Sequence, residues 1–333
     1  MRIVGTLVVT VWLGLACRGQ PTRAASFESE LVEARKFGPA DSRRATALAA
    51  IGERARLAGK LGEAQVIQRE VLSLRQSSLP PDDPNIGVAL HDLAIIAIER
   101  DELDEAQRLL DEAFPILERA AKGESPEFAT ALNTQGLLYK ARREYAEAER
   151  SLRRSIEIRR KVLGSNNLLV GGALGNLGLV MALINHDDEA EKLFADAQQI
   201  FDANRGAETL EAAQVIYDLA LLRAVRHRYA EAEPLFRKVL KVREEKLGKV
   251  HASVAQVLSM LGEVYVRQSR DEEAETALAA ATSTFRVLYQ DRLVPASSFA
   301  DALSAHARVL RRLGRNTDAE KVEARAGTVL RGE

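Results

Sequence analysis

The sequence predicts an all-α fold, a solenoid of stacked helix pairs, and three observations support this prediction. An acidic residue followed by Ala recurs every 42 residues. A small residue and a large aliphatic residue stand before each of these dipeptides at constant distances. No stretch alternates apolar and polar residues for long enough to indicate a β-strand. A repeat of this length, in which each copy carries its own packing contact, is typical of stacked supersecondary units.

Three columns of residues define the repeat. The dipeptides are Glu63-Ala64, Glu105-Ala106, Glu147-Ala148, Glu189-Ala190, Glu231-Ala232 and Glu273-Ala274. Twelve residues before each Ala stand Gly52, Ala94, Gly136, Gly178, Ala220 and Gly262. Four residues earlier stand Leu48, Leu90, Leu132, Leu174, Ile216 and Leu258. A seventh, diverged copy follows with Leu303, Ala307 and Asp318-Ala319. The columns predict an array over 41–333, with repeats near 41–82, 83–124, 125–166, 167–208, 209–250, 251–292 and 296–331.

Signals for the ends of helices follow the same period. The first helix of a pair is preceded by residues whose side-chain oxygen can accept a backbone hydrogen bond, namely Asp41, Asp83, Ser125, Asn167 and Thr209. Glycines stand where the second helix has to stop, namely Gly123, Gly164, Gly206 and Gly248. Between these ends, the small residue of the first helix allows the second helix to approach closely. Each repeat is therefore predicted to be one antiparallel helix pair.

Composition and charge exclude several classes of function. The 333 residues carry 47 Lys and Arg against 48 Asp and Glu, a net charge of -1, so no basic field attracts nucleic acid. The five histidines lie far apart and form no metal-binding spacing, and no phosphate loop or nucleophile elbow is present. We therefore expect no enzyme activity, no metal and no cofactor.

The N-terminus has the pattern of a signal peptide. Residues 1–17 combine Arg2 with an apolar run that is too short to span a membrane. The run ends at Cys17, the sole cysteine, and the preceding stretch resembles a bacterial lipobox. We expect an exported protein of the bacterial cell envelope, lipid-anchored through Cys17. The alternative is an ordinary secretory signal that is cut further on, near Ala24 or Ala25. Residues 18–40 are predicted to form a tether and a short capping helix.

The columns of small, aliphatic and acidic-Ala residues resemble the signature of tetratricopeptide repeats. The 42-residue variant is similar to the kinesin light chain type, and the segments 145–164 and 229–248 resemble its second helix. The resemblance covers about residues 41–331. It implies a right-handed superhelix whose first helices line a concave groove for a protein or peptide partner.

The positions that would line this groove give the candidate site. Its middle is apolar at Ile95, Leu137, Leu179, Leu183 and Leu221, and polar at His91, Asn133, Asn176 and Tyr217. Asn133 and Asn176 match paired positions at which the family's amides hold a peptide backbone. We therefore predict a peptide-binding groove made of these nine residues.

Several alternatives stay open at the level of sequence. The apolar column could pack against neighbouring helices, and the asparagines could simply be solvated. The protein could be a sensor or enzyme-associated protein that binds a small molecule, or a structural spacer of the envelope. Neither the partner nor the oligomeric state follows from the sequence.

Overall fold

The computed structural model of the chain describes residues 27–38, 41–120, 122–204, 208–291 and 293–331. Within these ranges every regular element is a helix, which confirms the predicted all-α solenoid. The helices are α1 (Glu28–Arg35), α2 (Ser42–Leu57), α3 (Leu61–Ser78), α4 (Pro84–Glu99), α5 (Leu103–Ala120), α6 (Pro126–Ala141), α7 (Tyr145–Leu163), α8 (Leu168–Leu183), α9 (Asp187–Ala203), α10 (Leu210–Val225), α11 (Tyr229–Leu247), α12 (Ala252–Arg267), α13 (Asp271–Gln290), α14 (Ala296–Arg312) and α15 (Asn316–Arg331).

In the described ranges, one short helix is followed by seven helix pairs, from α2/α3 to α14/α15. The two helices of a pair pack on each other, and each second helix packs on the first helix of the next pair. The short helix α1 packs on α2, with Phe27 and Ala34 buried in the first core cluster. Because each pair touches its neighbours in sequence, the apolar core is continuous along the array.

The N-caps form as expected at the start of the first helices. Their side chains accept a backbone amide at 2.8–3.2 Å, at Asp41, Asp83, Ser125, Asn167 and Thr209. His251 caps α12 in the same way, since its Nδ1 lies 3.2 Å from the Ser253 amide. Gly123, Gly164 and Gly248 have a positive φ after second helices. Gly206 lies outside the described residues.

The small residues bring the two helices of a pair together, as predicted. A Cβ added at Gly136 would lie 2.6 Å from Leu152 Cγ, and one at Gly262 would lie 2.5 Å from Leu278 Cγ. At Gly178 the same atom would lie 2.8 Å from the Phe194 ring. The missing side chain in the first helix therefore makes room for a large one in the second.

At every second junction between adjacent repeats, an arginine that is partly or wholly buried donates a hydrogen bond from one repeat to the next. Arg75 Nη1 donates to the Asn85 carbonyl at 2.7 Å, and the equivalent arginines, Arg159 and Arg243, donate to the Leu169 and Ser253 carbonyls at 2.7 and 3.0 Å. Each acceptor is the second residue of the next first helix. The intervening repeats carry Leu117, Phe201 and Phe285 at the corresponding position. A hydrogen-bonded contact between repeats thus alternates with an apolar one.

Candidate functional site

The first helices form the inner side of the solenoid. Contacts skip the second helices and join α4 to α6, α6 to α8, α8 to α10, and α12 to α14. Helices that contact across an intervening one must lie on the inside of the curve, so these helices line the concave surface. Residues spaced three or four apart on them form a continuous stripe along that surface.

Contacts on the concave surface join residues 43 positions apart. Asn176 Nδ2 donates to Asn133 Oδ1 at 3.1 Å, which links α8 to α6. His91 Nε2 lies 2.9 Å from Thr134 Oγ1, which links α4 to α6 in the same register. The structure therefore brings together the two asparagines that the sequence places in the groove, as partners of each other.

The asparagine pair keeps hydrogen-bonding capacity for a ligand. Both side chains are only partly buried. In the described part of the chain, the Asn133 amide NH₂ and the Asn176 amide oxygen make no other hydrogen bond. One donor and one acceptor are thus available side by side, which is the arrangement that a peptide backbone requires.

The apolar column is half-buried rather than exposed. Leu179 packs against the core cluster that contains Leu222, and Leu221 against the cluster that contains Val264. Ile95, Leu137 and Leu183 are also partly buried. The sequence leaves open whether this column faces solvent or packs between helices. In the structure each of these side chains is partly packed against other helices and partly exposed to solvent.

Two of the polar candidates, His91 and Tyr217, are buried, whereas the sequence predicts that they line the surface of the groove. His91 is 6% exposed and Tyr217 is 9% exposed. The Tyr217 ring packs edge-on against Phe236 at 5.6 Å, and the Arg243 guanidinium lies 4.7 Å from its centroid. Tyr217 therefore packs against α11, the second helix of its own pair, where its large ring is removed from water.

Two charged groups on the inner helices, the buried Lys140 and the partly buried Asp218, have shifted pKa values, and neither is among the residues predicted from the sequence. Lys140 of α6 is 7% exposed, and burial lowers the pKa of its ammonium to about 8, against an opposing attraction from Asp218. Burial likewise raises the pKa of Asp218 on α10 to about 6, although Lys140 and a hydrogen bond from Gln214 oppose the shift. The sequence shows which position of the repeat each residue occupies, but it does not show how far each side chain is buried.

The described residues hold no group of three His, Cys, Asp or Glu side chains able to bind a metal ion. Among these same residues, no helix is both long and apolar enough to cross a membrane. Cys17, the predicted site of lipid attachment, lies outside them.

Comparisons with known proteins agree with this architecture. The model of the tetratricopeptide repeat family matches residues 28–119, 127–203 and 211–286. A search of curated proteins found no match to the chain. Among solved structures, BtubC (BKLC) from P. vanneervenii is similar, with 18% identity and a TM-score of 0.62 over 70% of this chain and 91% of that one.

Two further solved structures match nearly the whole chain. The apo form of the quorum sensor NprR from B. thuringiensis has 14% identity and a TM-score of 0.66 over 91% of this chain and 81% of that one. A Rap protein complexed with competence and sporulation factor has 14% identity and a TM-score of 0.63 over 92% and 80%. At these identities the likeness is one of fold.

Proposed function

Because this chain belongs to the tetratricopeptide repeat family, we propose that it is a scaffold that holds a peptide segment of a partner protein on its concave surface. The hydrogen-bonded pair Asn133 and Asn176 carries this proposal. Its unused donor and acceptor lie on the inner helices α6 and α8, beside the partly buried Leu137.

The geometry suits an extended segment better than a compact ligand. An extended peptide presents a C=O and an N–H at each residue, and the asparagine pair can satisfy one of each. Leu137 adds an apolar contact one helical turn further along α6. The surface is already formed by packed helices, so binding requires little ordering of the protein.

The similar Rap structure offers a precedent, since that protein was solved with a bound factor. The match itself concerns the fold, and the ligand of this chain has to be determined directly.

Photo-crosslinking tests whether the concave surface binds a partner. A photoreactive benzoylphenylalanine would replace Leu137 in the native cells, and a matched control would replace Val66 on α3, which is 63% exposed. We expect a discrete crosslinked adduct from position 137 and none from position 66. Adducts from position 66 alone would place the partner elsewhere and refute the proposal.

One observation favours a second candidate, a structural spacer. Leu179 and Leu221 pack against the core, and a spacer needs no exposed anchor on its inner face. The same experiment separates the two functions, because a spacer gives no adduct at position 137.

We further propose that the protein is exported to the cell envelope and anchored there by a lipid on Cys17. The support is the signal-like run before Cys17 and the absence of any other cysteine from the sequence. Replacement of Cys17 by Ser should move the protein from the membrane to the soluble fraction. Unchanged partition of the variant, or a mature protein that still contains residues 1–16, contradicts this part of the proposal.

A further inference from the structure

The N-cap of α12 differs in chemistry from the other side-chain N-caps of the first helices. Five of these helices are capped by a side-chain oxygen, at Asp41, Asp83, Ser125, Asn167 and Thr209. The α12 helix is capped by a ring nitrogen, because Nδ1 of His251 accepts from the Ser253 amide at 3.2 Å. An imidazole nitrogen accepts a hydrogen bond only while it carries no proton. Among these six caps, His251 is therefore the one that can change its charge between about pH 5 and 8.

The contacts of His251 fix its protonation state in the folded array. The residue is 3% exposed, and its Nδ1 also lies 2.8 Å from Ser253 Oγ. A backbone amide can only donate, so a proton on Nδ1 would place two hydrogens against each other. A neutral Nδ1 accepts from both the amide and the hydroxyl of Ser253. The closed cap therefore requires the neutral imidazole.

Two positive potentials act against a protonated His251. One is the N-terminus of α12, where the helix dipole disfavours a cation. The other is Arg243, which is 2% exposed and donates through Nη1 to the Ser253 carbonyl at 3.0 Å. The amide, hydroxyl and carbonyl of Ser253 thus join the cap to the arginine that links the fifth and sixth helix pairs. Protonation of His251 would place a second positive charge at this junction.

The two equivalent junctions have caps that do not become cations. Arg75 donates to the first helix that Asp83 caps, and Arg159 donates to the one that Asn167 caps. The first of these caps is an anion near neutral pH and the second is a neutral amide. The α11/α12 junction has the same construction with a side chain that titrates.

The other charged groups at this end of the neighbouring helices are partly or fully exposed, so water and salt screen them. They are Glu211 of α10, Glu244, Glu245 and Lys246 of α11, Lys249 before α12, Arg286 and Asp291 of α13, and Asp301 of α14. In the described part of the chain, Arg243 is therefore the buried charge at this junction.

The start of α12 also supports the last helix pair. Ala255, in the first turn of α12, belongs to one core cluster with Phe285 and Leu288 of α13 and Phe299 of α14. If the first turn of α12 opens, the packing of all three helices is weakened at this end.

We propose that His251 is a pH-sensitive contact: its neutral imidazole holds the start of α12 in place, and its protonation in mildly acidic conditions releases this start and loosens the last two helix pairs. The open junction can bind a proton that the closed one excludes, so acid favours opening. An unrestrained imidazole, with a pKa of about 6.5, is about 90% protonated at pH 5.5. Opening should therefore be favoured about tenfold over its level at pH 7.5. This regulation does not depend on which ligand the groove binds.

Hydrogen exchange of the purified full chain, followed by mass spectrometry at pH 7.5 and pH 5.5, tests the proposal. Rates at each pH are corrected for intrinsic amide exchange. We expect protection at the start of α12 to fall about tenfold at the lower pH. The starts of α4 and α8, which Asp83 and Asn167 cap, are internal references and should keep their protection.

Three variants separate the titration from the cap. His251→Asn keeps a capping oxygen, as at Asn167, and should keep its protection at both pH values. His251→Ala removes the cap and should exchange faster than the wild type already at pH 7.5. His186→Asn is the matched control, because His186 stands at the N-cap of α9 but is exposed and makes no capping hydrogen bond. This control should respond to pH as the wild type does.

Unchanged protection at the start of α12 between the two pH values overturns the proposal. An acid-induced loss that persists in His251→Asn, or an equal loss at the starts of α4 and α8, overturns it as well. The comparison of the three helix starts within the wild type does not depend on the folding of any variant.

Discussion

Replacement of Gly136 by Ala should destabilise the array, although Ala is the better helix former. Alanine at an interior helix position gains about 1 kcal/mol over glycine in propensity. The added Cβ would, however, lie 2.6 Å from Leu152 Cγ and 3.3 Å from the Ala148 carbonyl oxygen. Leu152 is fully buried, and the contact is to its branch carbon rather than to a free end, so α7 itself has to shift.

Overpacking of this kind costs about 1–3 kcal/mol in the free energy of unfolding. Over most of this range, the cost is larger than the gain in helix propensity. We expect a net loss of about 1 kcal/mol in the free energy of unfolding for Gly136→Ala. The matched control is Gly172→Ala, where the new methyl meets nothing within 4 Å. This control should gain about 0.5–1 kcal/mol from propensity alone.

The assay is urea unfolding followed by helical circular dichroism, with the two variants and the wild type measured together. The expected order of stability is Gly172→Ala, then wild type, then Gly136→Ala. If Gly136→Ala equals or exceeds Gly172→Ala, the close approach between α6 and α7 does not limit packing, and the small residues do not serve to bring the helices together.

Three further predictions concern the concave surface and its support. Replacement of Arg243 by Lys should lower the free energy of unfolding by about 2 kcal/mol in urea unfolding, because an ammonium cannot bridge Gln214 and the Ser253 carbonyl as the guanidinium does; an unchanged midpoint contradicts the bridging role. The folded pKa of Asp218, about 6, exceeds its ordinary value of 3.8, so its contribution to stability is present below pH 4 and is lost as pH rises through 6. Relative to wild type, Asp218→Asn should therefore become more stable from pH 4 to pH 6, by on the order of 2 kcal/mol, and a difference that is constant with pH refutes this. Leu137→Glu should leave the thermal midpoint nearly unchanged, whereas Leu138→Glu should unfold the array, because Leu138 is fully buried and the new charge would be buried with it; equal losses would place Leu137 in the core.

The helix pairs and their caps could be predicted because the causes are local. A capping side chain at Asp83 or Ser125 satisfies an amide two or three residues away, and the 42-residue spacing repeats this signal. The close packing of Gly136 also follows from the repeat, since a small residue that recurs in one helical column indicates that two helices approach closely there.

The turns inside the pairs could not be predicted from residue type. The left-handed conformation recurs five residues before each repeat's Ala, and it is adopted by Gly59 and Gly314 but also by Asp101, Arg143, Asn185, His227 and Ser269. Arg, His and Ser give little sign of a positive φ. The conformation follows instead from the backbone hydrogen bond that closes each turn, as from the Glu102 amide to the Ala97 carbonyl at 2.8 Å.

The concave surface could be predicted in part, and the reason lies in the stacking of repeats. Sequence columns are read with a period of 42 residues, yet the contacts that join α6 to α8 fall at 43. The first helices α4, α6 and α8 are therefore displaced by one residue at these contacts, so His91 and Asn133 each meet a residue from the adjacent column. This displacement pairs Asn133 with Asn176 rather than leaving both amides free.

The electrostatic interaction between Lys140 and Asp218 could not be predicted from the sequence. They occupy different columns and belong to repeats that are not adjacent, so no periodic pattern connects them. Their interaction depends on how the repeats stack, and the stacking is the sum of many small packing differences between repeats. A repeat sequence therefore specifies which helix faces the groove, while the depth and the charge partner of each residue on that face depend on the assembled array.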